Sequence, residues 1–107
     1  MNGNSINRVE LQGRVGTVRI QPAGESIVAS FSLMTEETLT AADGSVLIEA
    51  CWHHVTAWES KEVCIDRVTK GSLVHVEGKL RNSRYTAADG SERVFTEVIA
   101  SSLKVLE

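Results

Sequence analysis

The sequence lacks the long apolar segments that membrane and secreted proteins carry. No apolar run approaches the roughly 20 residues that a membrane-spanning helix needs. The N-terminal segment, MNGNSINRVE, has neither the basic stretch nor the apolar core of a signal peptide. We therefore expect no membrane partner and a cytoplasmic location.

Cysteine is scarce, since Cys51 and Cys64 are the only two in the chain. They could form one disulfide, but no other feature of the sequence indicates secretion. In a reducing cytoplasm we expect both to be buried thiols that pack as small core residues.

Positive charge is also in short supply. The chain has 11 Lys and Arg against 14 Asp and Glu, which gives a formal net charge of −3. This balance argues mildly against a nucleic-acid partner, because such proteins usually present a basic face. Net charge is only a sum, however. Four of the 11 basic residues fall within the segment 79–93, which allows a local basic strip on an acidic chain.

Signatures of catalysis and metal binding are absent. The sequence contains no phosphate-binding loop, no dinucleotide fingerprint and no Ser/His/Asp signature. Its histidines, His53, His54 and His75, do not combine with cysteine in the spacing of a zinc site. Neighbouring glutamates at 36 and 37 would point to opposite faces of a strand, which is poor geometry for a carboxylate pair. We expect a non-catalytic protein without metal or cofactor.

What the sequence does contain is a strong strand signal. Apolar and polar residues alternate in NRVELQGRV, which is the period of a half-buried strand. The segment QPAGES, at 21–26, holds the only proline and predicts a turn. Strands are predicted over 7–15, 26–35, 45–58, 72–86 and 93–107.

The hexamer TAADGS occurs twice, at 40–45 and 86–91. Asp-Gly between two strand segments is a strong hairpin signal, because glycine accepts the positive φ of a tight turn. The flanks of the two copies differ. We therefore interpret the repeat as one turn chemistry used at the tips of two hairpins.

Segment 60–71, SKEVCIDRVTKG, breaks the alternation. Val63, Cys64 and Val68 would share a helical face, with Ser60 as N-cap and Gly71 as the stop, which predicts one short helix. Five strands with a helix between the third and fourth predict an all-β fold. We expect a single OB-fold domain over 1–107, a five-stranded Greek-key barrel. A six-stranded barrel or a small sandwich would give a similar pattern.

The stretch CWHHVTAW, at 51–58, is the most unusual one. Trp52 and Trp58 share a strand face opposite the small apolar Val55 and Ala57, which predicts that both rings lie on the outer surface. Aromatic rings on a strand are suited to single-stranded nucleic acid, because every base has a π-face on which to stack. Alternatively, both tryptophans pack in the core or at a subunit interface.

Tyr85 follows Lys79, Arg81 and Arg84 at the base of the second hairpin. Cations that lead to an aromatic ring are what a groove needs to contact phosphates and stack bases. A solvated strand edge with one packed tyrosine would give the same pattern.

Several segments, in order along the chain, resemble the bacterial single-stranded DNA-binding protein (SSB) family. They are NRVELQGRVG, ASFSLMTEE, ACWHHVTAW, KGSLVHVEGKLR and YTAADGSERVFTEV, from about residue 6 to 106. The resemblance implies an OB-fold that assembles as a homotetramer, with a dimer as the alternative. It also implies single-stranded DNA as the partner, and a nucleoid-associated role in replication, recombination and repair.

The same resemblance assigns roles to individual residues. Trp52 matches the stacking tryptophan of the family, Trp58 a stacking phenylalanine, and Tyr85 a further tryptophan. The implied phosphate contacts are Lys79, Arg81, Arg84, Arg8 and Arg14. His53 follows Trp52 as the interface histidine of the family does, and we also expect His75 at the oligomer interface.

The chain departs from the family pattern at several positions. Leu39 stands where many members have another tryptophan, and His54 replaces a usual arginine. Ser83 interrupts the basic run, and Ala41 and Ala42 leave the first hairpin tip uncharged. These departures imply weaker or more salt-sensitive binding than in a typical member.

The family usually continues with a Gly/Pro/Gln-rich linker and an acidic tip that recruits replication and repair enzymes. This sequence ends at Glu107 without an acidic tail. We expect it to bind without recruiting; a trimmed chain and a short paralogue both fit.

The predicted function is non-catalytic, largely sequence-independent binding of single-stranded DNA. One alternative is a protein–protein assembly module, a paralogue with weakened DNA binding, which the low net charge and Leu39 favour. Another is a dimeric primosomal accessory protein of related fold, which its oligomeric mass would distinguish.

Overall fold

Five long strands close into a barrel in the computed structural model, which describes residues 3–107. The strands are β1 (Val9–Ala23), β2 (Ser26–Thr40), β3 (Val46–Trp58), β4 (Leu73–Thr86) and β5 (Glu92–Val105). Their order is β1-β2-β3-β5-β4, and β4 pairs with β1 to close the barrel. Only the β3–β5 pair is parallel among these described strands. The predicted five-stranded barrel is confirmed. The first two residues of the predicted 1–107 domain lie outside the described range.

Alternation along the strands places the apolar side chains inside the barrel. Phe31 and Leu33 of β2 are buried, as are Val74 and Val76 of β4. The core also contains Val15, Ala29, Val55, Ala57, Val98 and Leu103. Burying a side chain the size of Val, Leu or Phe stabilises a fold by about 1.5–3 kcal/mol. The opposite face of each strand is left free for other contacts.

Two hairpin arms extend beyond the closed part of the barrel. The β2–β3 arm comprises residues 36–50, and the β4–β5 arm comprises residues 79–97. β3 pairs with β5 only at Val55 and Thr56, so the first half of β3 is paired with β2 alone. Residues 46–52 are exposed for this reason.

The two TAADGS hexamers form the same turn at the two arm tips. Gly44 and Gly90 have φ of 88° and 85°, which glycine adopts without steric cost. At each tip an aspartate accepts hydrogen bonds from the backbone N–H and the hydroxyl of the serine two residues later, Asp43 from Ser45 and Asp89 from Ser91. These serine hydrogen bonds lower the pKa of both aspartates. The repeat is therefore one local geometry used twice, as predicted.

The predicted helix in segment 60–71 is wrong. Residues 3–107 contain no helix, and so none that is long and apolar enough to cross a membrane. Val63 instead forms a bridge with Leu103 of β5, and the Leu103 N–H donates to the carbonyl of Glu62 at 2.9 Å. Val63, Ile65 and Val68 are all buried, and β-branched side chains disfavour a helix. Packing against the barrel therefore overrides the weak helical pattern.

The prediction of buried cysteines is wrong too, because both thiols are exposed. Cys51 lies on the part of β3 that pairs only with β2, where the barrel no longer covers the strand. Cys64 stands between the buried Val63 and Ile65 and points the other way. Its thiol donates to Asp66 at 2.8 Å, and this hydrogen bond raises the pKa of Cys64.

The first hairpin is tighter than the sequence suggested. The turn comprises only Gly24 and Glu25, whereas QPAGES predicted a turn over 21–26. Pro22 lies inside β1, which continues past an irregularity between Val15 and Val18.

Gly78 allows β4 and β5 to approach closely where the barrel bends. The pairing of β4 with β5 shifts register between Glu77 and Gly78, and a Cβ built on Gly78 would clash with the carbonyl oxygen of Ile99. Backbone cannot move aside as a flexible side chain does.

We expect Gly78→Ala to lower the free energy of unfolding by at least the roughly 1–3 kcal/mol of overpacking, measured by urea denaturation. Gly3→Ala is the control, because nothing lies within 4 Å of its Cβ. Equal stability of the two variants would contradict this packing.

Candidate nucleic-acid interface

The outer face of β3 carries both tryptophans. Trp52 is 59% exposed and Trp58 is 39% exposed, while Val55 and Ala57 on the opposite face are fully buried. The structure therefore places the two rings outside, where the alternation of CWHHVTAW predicted them. Thr56 shares their face but is buried, and its hydroxyl donates a hydrogen bond to the carboxylate of Glu97 on β5.

The ring of Trp52 lies against the wall of the barrel. A Cβ built on Gly16 would stand 2.7 Å from Cζ3 of Trp52, and 2.6 Å from the hydroxyl oxygen of Ser32. Glycine on β1 therefore makes room for the indole. Trp52 is thus supported from below while most of its surface stays open to solvent, which is the arrangement a stacking surface needs.

A second aromatic group joins the three strands β3, β5 and β4. The ring of Phe95 meets His54 at 5.5 Å between centroids and Tyr85 at 5.8 Å, both edge to face. Sequence reasoning missed Phe95. The sequence feature that could have identified it is the alternation of β5. Phe95 shares a strand face with Glu97, opposite the face of the buried Val98. Trp52 and Trp58 share the outer face of β3 with His54, so the exposed aromatics all lie on one side of the sheet.

Arg81 lies at the Trp58 end of this surface. Its guanidinium carbon is 5.9 Å from the centre of the Trp58 ring, within the range of a cation–π contact. The same guanidinium pairs with Glu97 at 3.0 Å. The predicted basic residue thus contacts a predicted stacking residue directly.

Glu97 is a buried carboxylate under the exposed face. It is 4% exposed and accepts hydrogen bonds from Thr56 (2.5 Å), Arg81 (3.0 Å) and Ser83. Burial is the largest single effect on its pKa and raises it, but the hydrogen bonds from Ser83, Thr56 and Arg81 together outweigh burial. The pKa of Glu97 therefore lies below its ordinary value.

The other cations of the β4–β5 arm are more loosely held. Arg84 pairs with Glu92 at 3.6 Å, and Arg93 pairs with Asp89 at 3.7 Å, all four side chains being more than half exposed. Such surface pairs are worth about 0–1 kcal/mol and are readily exchanged. Lys79 is exposed and forms no ion pair within residues 3–107.

Arg8 and Arg14 have partners elsewhere on the barrel. Arg8 pairs with Glu77 of β4 at 3.1 Å. Arg14 pairs with Glu107 at 2.9 Å and donates to the carbonyl of Gly71 at 3.1 Å. The structure therefore does not bring these two predicted phosphate contacts into the Arg81 and Trp58 group.

The histidines predicted at the oligomer interface also lie away from the aromatic surface. His53 is half-buried and hydrogen-bonds the hydroxyl of Thr35 at 2.9 Å. His75 pairs with Glu10 at 2.8 Å across β1 and β4. Glu10, His75 and Glu77 are the one group of possible metal ligands in the described part of the chain, and Arg8 already neutralises Glu77.

The model of the single-strand binding protein family matches residues 6–106. The chain belongs to this family. Two single-stranded DNA-binding proteins of Neisseria meningitidis, from serogroups A and B, are each 35% identical over 106 residues. A mitochondrial single-stranded DNA-binding protein of Oryctolagus cuniculus is 34% identical over 112 residues, covering 95% of this chain and 76% of its own. The chain covers 60% of the length of the Neisseria relatives.

Solved structures of single-strand binding proteins share the fold. The Plasmodium falciparum protein, in its complex with single-stranded DNA, is 30% identical with a TM-score of 0.81 over 100% of both chains. A deletion mutant from Thermus aquaticus has a TM-score of 0.76 at 22% identity, over 95% of this chain and 51% of its own. The predicted OB-fold is confirmed by these matches.

Glu97 predicts a specific pH dependence of stability. Because folding lowers its pKa, ionised Glu97 stabilises the native state at neutral pH, and this contribution is lost as pH falls through the lowered value. We expect Glu97→Gln to lower the free energy of unfolding by about 1–3 kcal/mol at neutral pH, and the difference from wild type to shrink below about pH 4. Urea denaturation at several pH values measures it. Asp43 and Asp89 titrate in both the wild type and the variant, so their contributions cancel in the difference between the two. A difference that is constant with pH would contradict the assignment.

Proposed function

We propose that the chain is a non-catalytic protein that binds single-stranded DNA with little regard to sequence. Bases stack on Trp52, Trp58 and Tyr85, and cations beside them contact phosphates. The observation that carries the proposal is the aromatic surface across β3, β5 and β4, in which Trp52 is 59% exposed yet packed against Gly16. Each base stacked on an aromatic side chain is worth about 1–3 kcal/mol.

The distribution of charge supports the same function despite the net charge of −3. On the β4–β5 arm, Lys79 shares the strand face of Arg81 and Tyr85, whereas Arg84 lies on the opposite face, and neither is held by a buried partner. A phosphate backbone that follows the arm would replace Glu92 as the partner of Arg84. Arg8 and Arg14 are themselves exposed, and their partners are the half-buried Glu77 and the exposed Glu107, so both are also able to exchange them for phosphate. They remain predicted contacts for a strand that continues around the barrel.

The cellular role that follows is protection and handling of exposed single strands in DNA replication, recombination and repair. A nucleoid-associated protein of the cytoplasm fits this role. The relatives include both bacterial and mitochondrial proteins.

Titration with oligo-dT tests the proposal through the tryptophans. We expect saturable quenching of tryptophan emission that weakens as salt is added, because phosphate contacts release counterions. Trp52→Ala should weaken binding by about 1–3 kcal/mol, roughly 5- to 150-fold in Kd. Quenching of the remaining Trp58 reports the binding of the variant.

Leu106→Ala is the matched control for loss of an exposed apolar side chain, since Leu106 is 48% exposed and lies outside the aromatic surface. Its Kd should equal that of the wild type. Absence of quenching in the wild type, together with no shift in a gel assay, would reject the DNA-binding proposal.

A second candidate function is protein–protein assembly, and one observation favours it. The β2–β3 arm carries exposed aliphatic side chains at Val46 (62%), Leu47 (58%) and Ile48 (68%), with Leu39 paired opposite Leu47. Neighbouring exposed apolar side chains often mark a surface that another protein covers. Binding of a protein partner without binding of oligo-dT would support this candidate.

The proposed assembly is a homotetramer, with His53 and His75 at subunit contacts. His53 is half-buried beside Thr35 on the barrel side of β3, whereas its neighbour His54 contacts Phe95 on the aromatic surface.

Light scattering is expected to give four times the mass of the chain; twice the mass would indicate the dimeric primosomal type. His53→Ala should shift the mass downward at low protein concentration, because it removes a contact between subunits. His54→Ala, one residue away on the other face, should keep the wild-type mass. Identical masses for the two variants at every concentration would remove His53 from the interface.

A further inference from the structure

Glu97 is a buried carboxylate in the middle of the face to which we assign the binding of anionic DNA. DNA phosphates would be repelled by a free negative charge at this place. Glu97 is nevertheless 4% exposed and lies directly opposite Arg81 in the pairing of β4 with β5. A buried charge is tolerated only when it is paired and hydrogen-bonded.

Both oxygens of Glu97 are occupied. One accepts from Thr56 of β3 at 2.5 Å, and the other accepts from Arg81 at 3.0 Å and from Ser83. The carboxylate therefore ties β3 and β4 to β5 beneath the aromatic side chains. Its lowered pKa keeps it ionised at neutral pH, so the Glu97–Arg81 pair has no net charge.

The pair also fixes where Arg81 lies. The Arg81 side chain is 48% exposed, and its guanidinium stands 5.9 Å from the centre of the Trp58 ring. A long arginine side chain on a strand would otherwise sample many rotamers. Held by Glu97, it covers part of Trp58 with a flat, hydrogen-bonded group on which a base is able to stack.

We propose that Glu97 is a positioning residue that holds Arg81 against Trp58 and cancels its charge, so that Arg81 extends the stacking surface rather than neutralising a phosphate. This inference rests on the proposed binding of single-stranded DNA. It changes the role that the family resemblance gave to Arg81. The phosphate contacts on this arm are then Lys79 and Arg84.

The exposed pair of Arg84 with Glu92 shows the contrast. Those atoms are 3.6 Å apart and both side chains are more than 60% exposed, so water and salt screen them. Arg84 gives up Glu92 to a phosphate at little cost. If Arg81 moved away from Glu97, the buried carboxylate would lose its ion-pair partner, which is strongly unfavourable.

The salt dependence of binding tests the proposal, because each neutralised single-strand phosphate adds about 0.7 to the slope of log K against log salt. We would measure this slope with oligo-dT for the wild type, Glu97→Gln and the double variant Arg81→Gln/Glu97→Gln. Glu97→Gln leaves Arg81 with an uncancelled charge, so its slope should be steeper by about 0.7. The double variant replaces one neutral pair by another, so its slope should equal that of the wild type.

Glu25→Gln is the matched control, since it removes the same charge from the exposed β1–β2 turn. Its slope should stay at the wild-type value. A slope for Glu97→Gln that equals the control would overturn the proposal. So would a double variant whose slope is shallower than wild type by about 0.7, because Arg81 would then contact phosphate in the wild type.

Circular dichroism and thermal melting establish that each variant is folded before its slope is compared. If Glu97→Gln does not fold, the double variant, which retains hydrogen-bonding groups at both positions, decides the question alone. Failure of the wild type to bind oligo-dT would reject the proposed function and this inference together. Normal wild-type binding with unchanged slopes would reject the inference only.

Discussion

Closure of the barrel is the constraint on which the rest of the structure depends. Each strand gives one face to a single core, and the ring closes only where β1 pairs with β4. Close backbone approaches at Gly13 and Gly78 permit the closure. Because the inner faces are fully used, every functional side chain must come from the outer faces or from the arms that extend past the core.

The outer face is organised by electrostatics as well as by aromatic packing. One buried carboxylate, Glu97, connects three strands and determines the position of Arg81 over Trp58. Under the proposed binding of single-stranded DNA, this pairing lets a protein with a net charge of −3 present a surface that an anionic polymer approaches. On the β4–β5 arm, Glu97, Glu92 and Asp89 are each paired with an arginine, while Glu10 and Glu77 lie on another part of the barrel.

Most of the fold was predictable because its signals are local. A period of two determines which strand face is buried, and Asp-Gly determines where a hairpin turns. The same reasoning placed Trp52 and Trp58 outside. It missed Phe95 and the role of Glu97, because their partners His54, Tyr85, Thr56 and Arg81 lie on other strands and only the register brings them together.

The sequence by itself determined the five strands, the two identical arm tips and the family to which the chain belongs. Tertiary structure alone decided the conformation of 60–71, where packing of Val63 on Leu103 outweighs a weak helical pattern. It also decided the exposure of Cys51, since burial depends on how far β5 covers β3. Strand and turn preferences are encoded in neighbouring residues, whereas burial and ion pairing depend on residues that are distant in the chain.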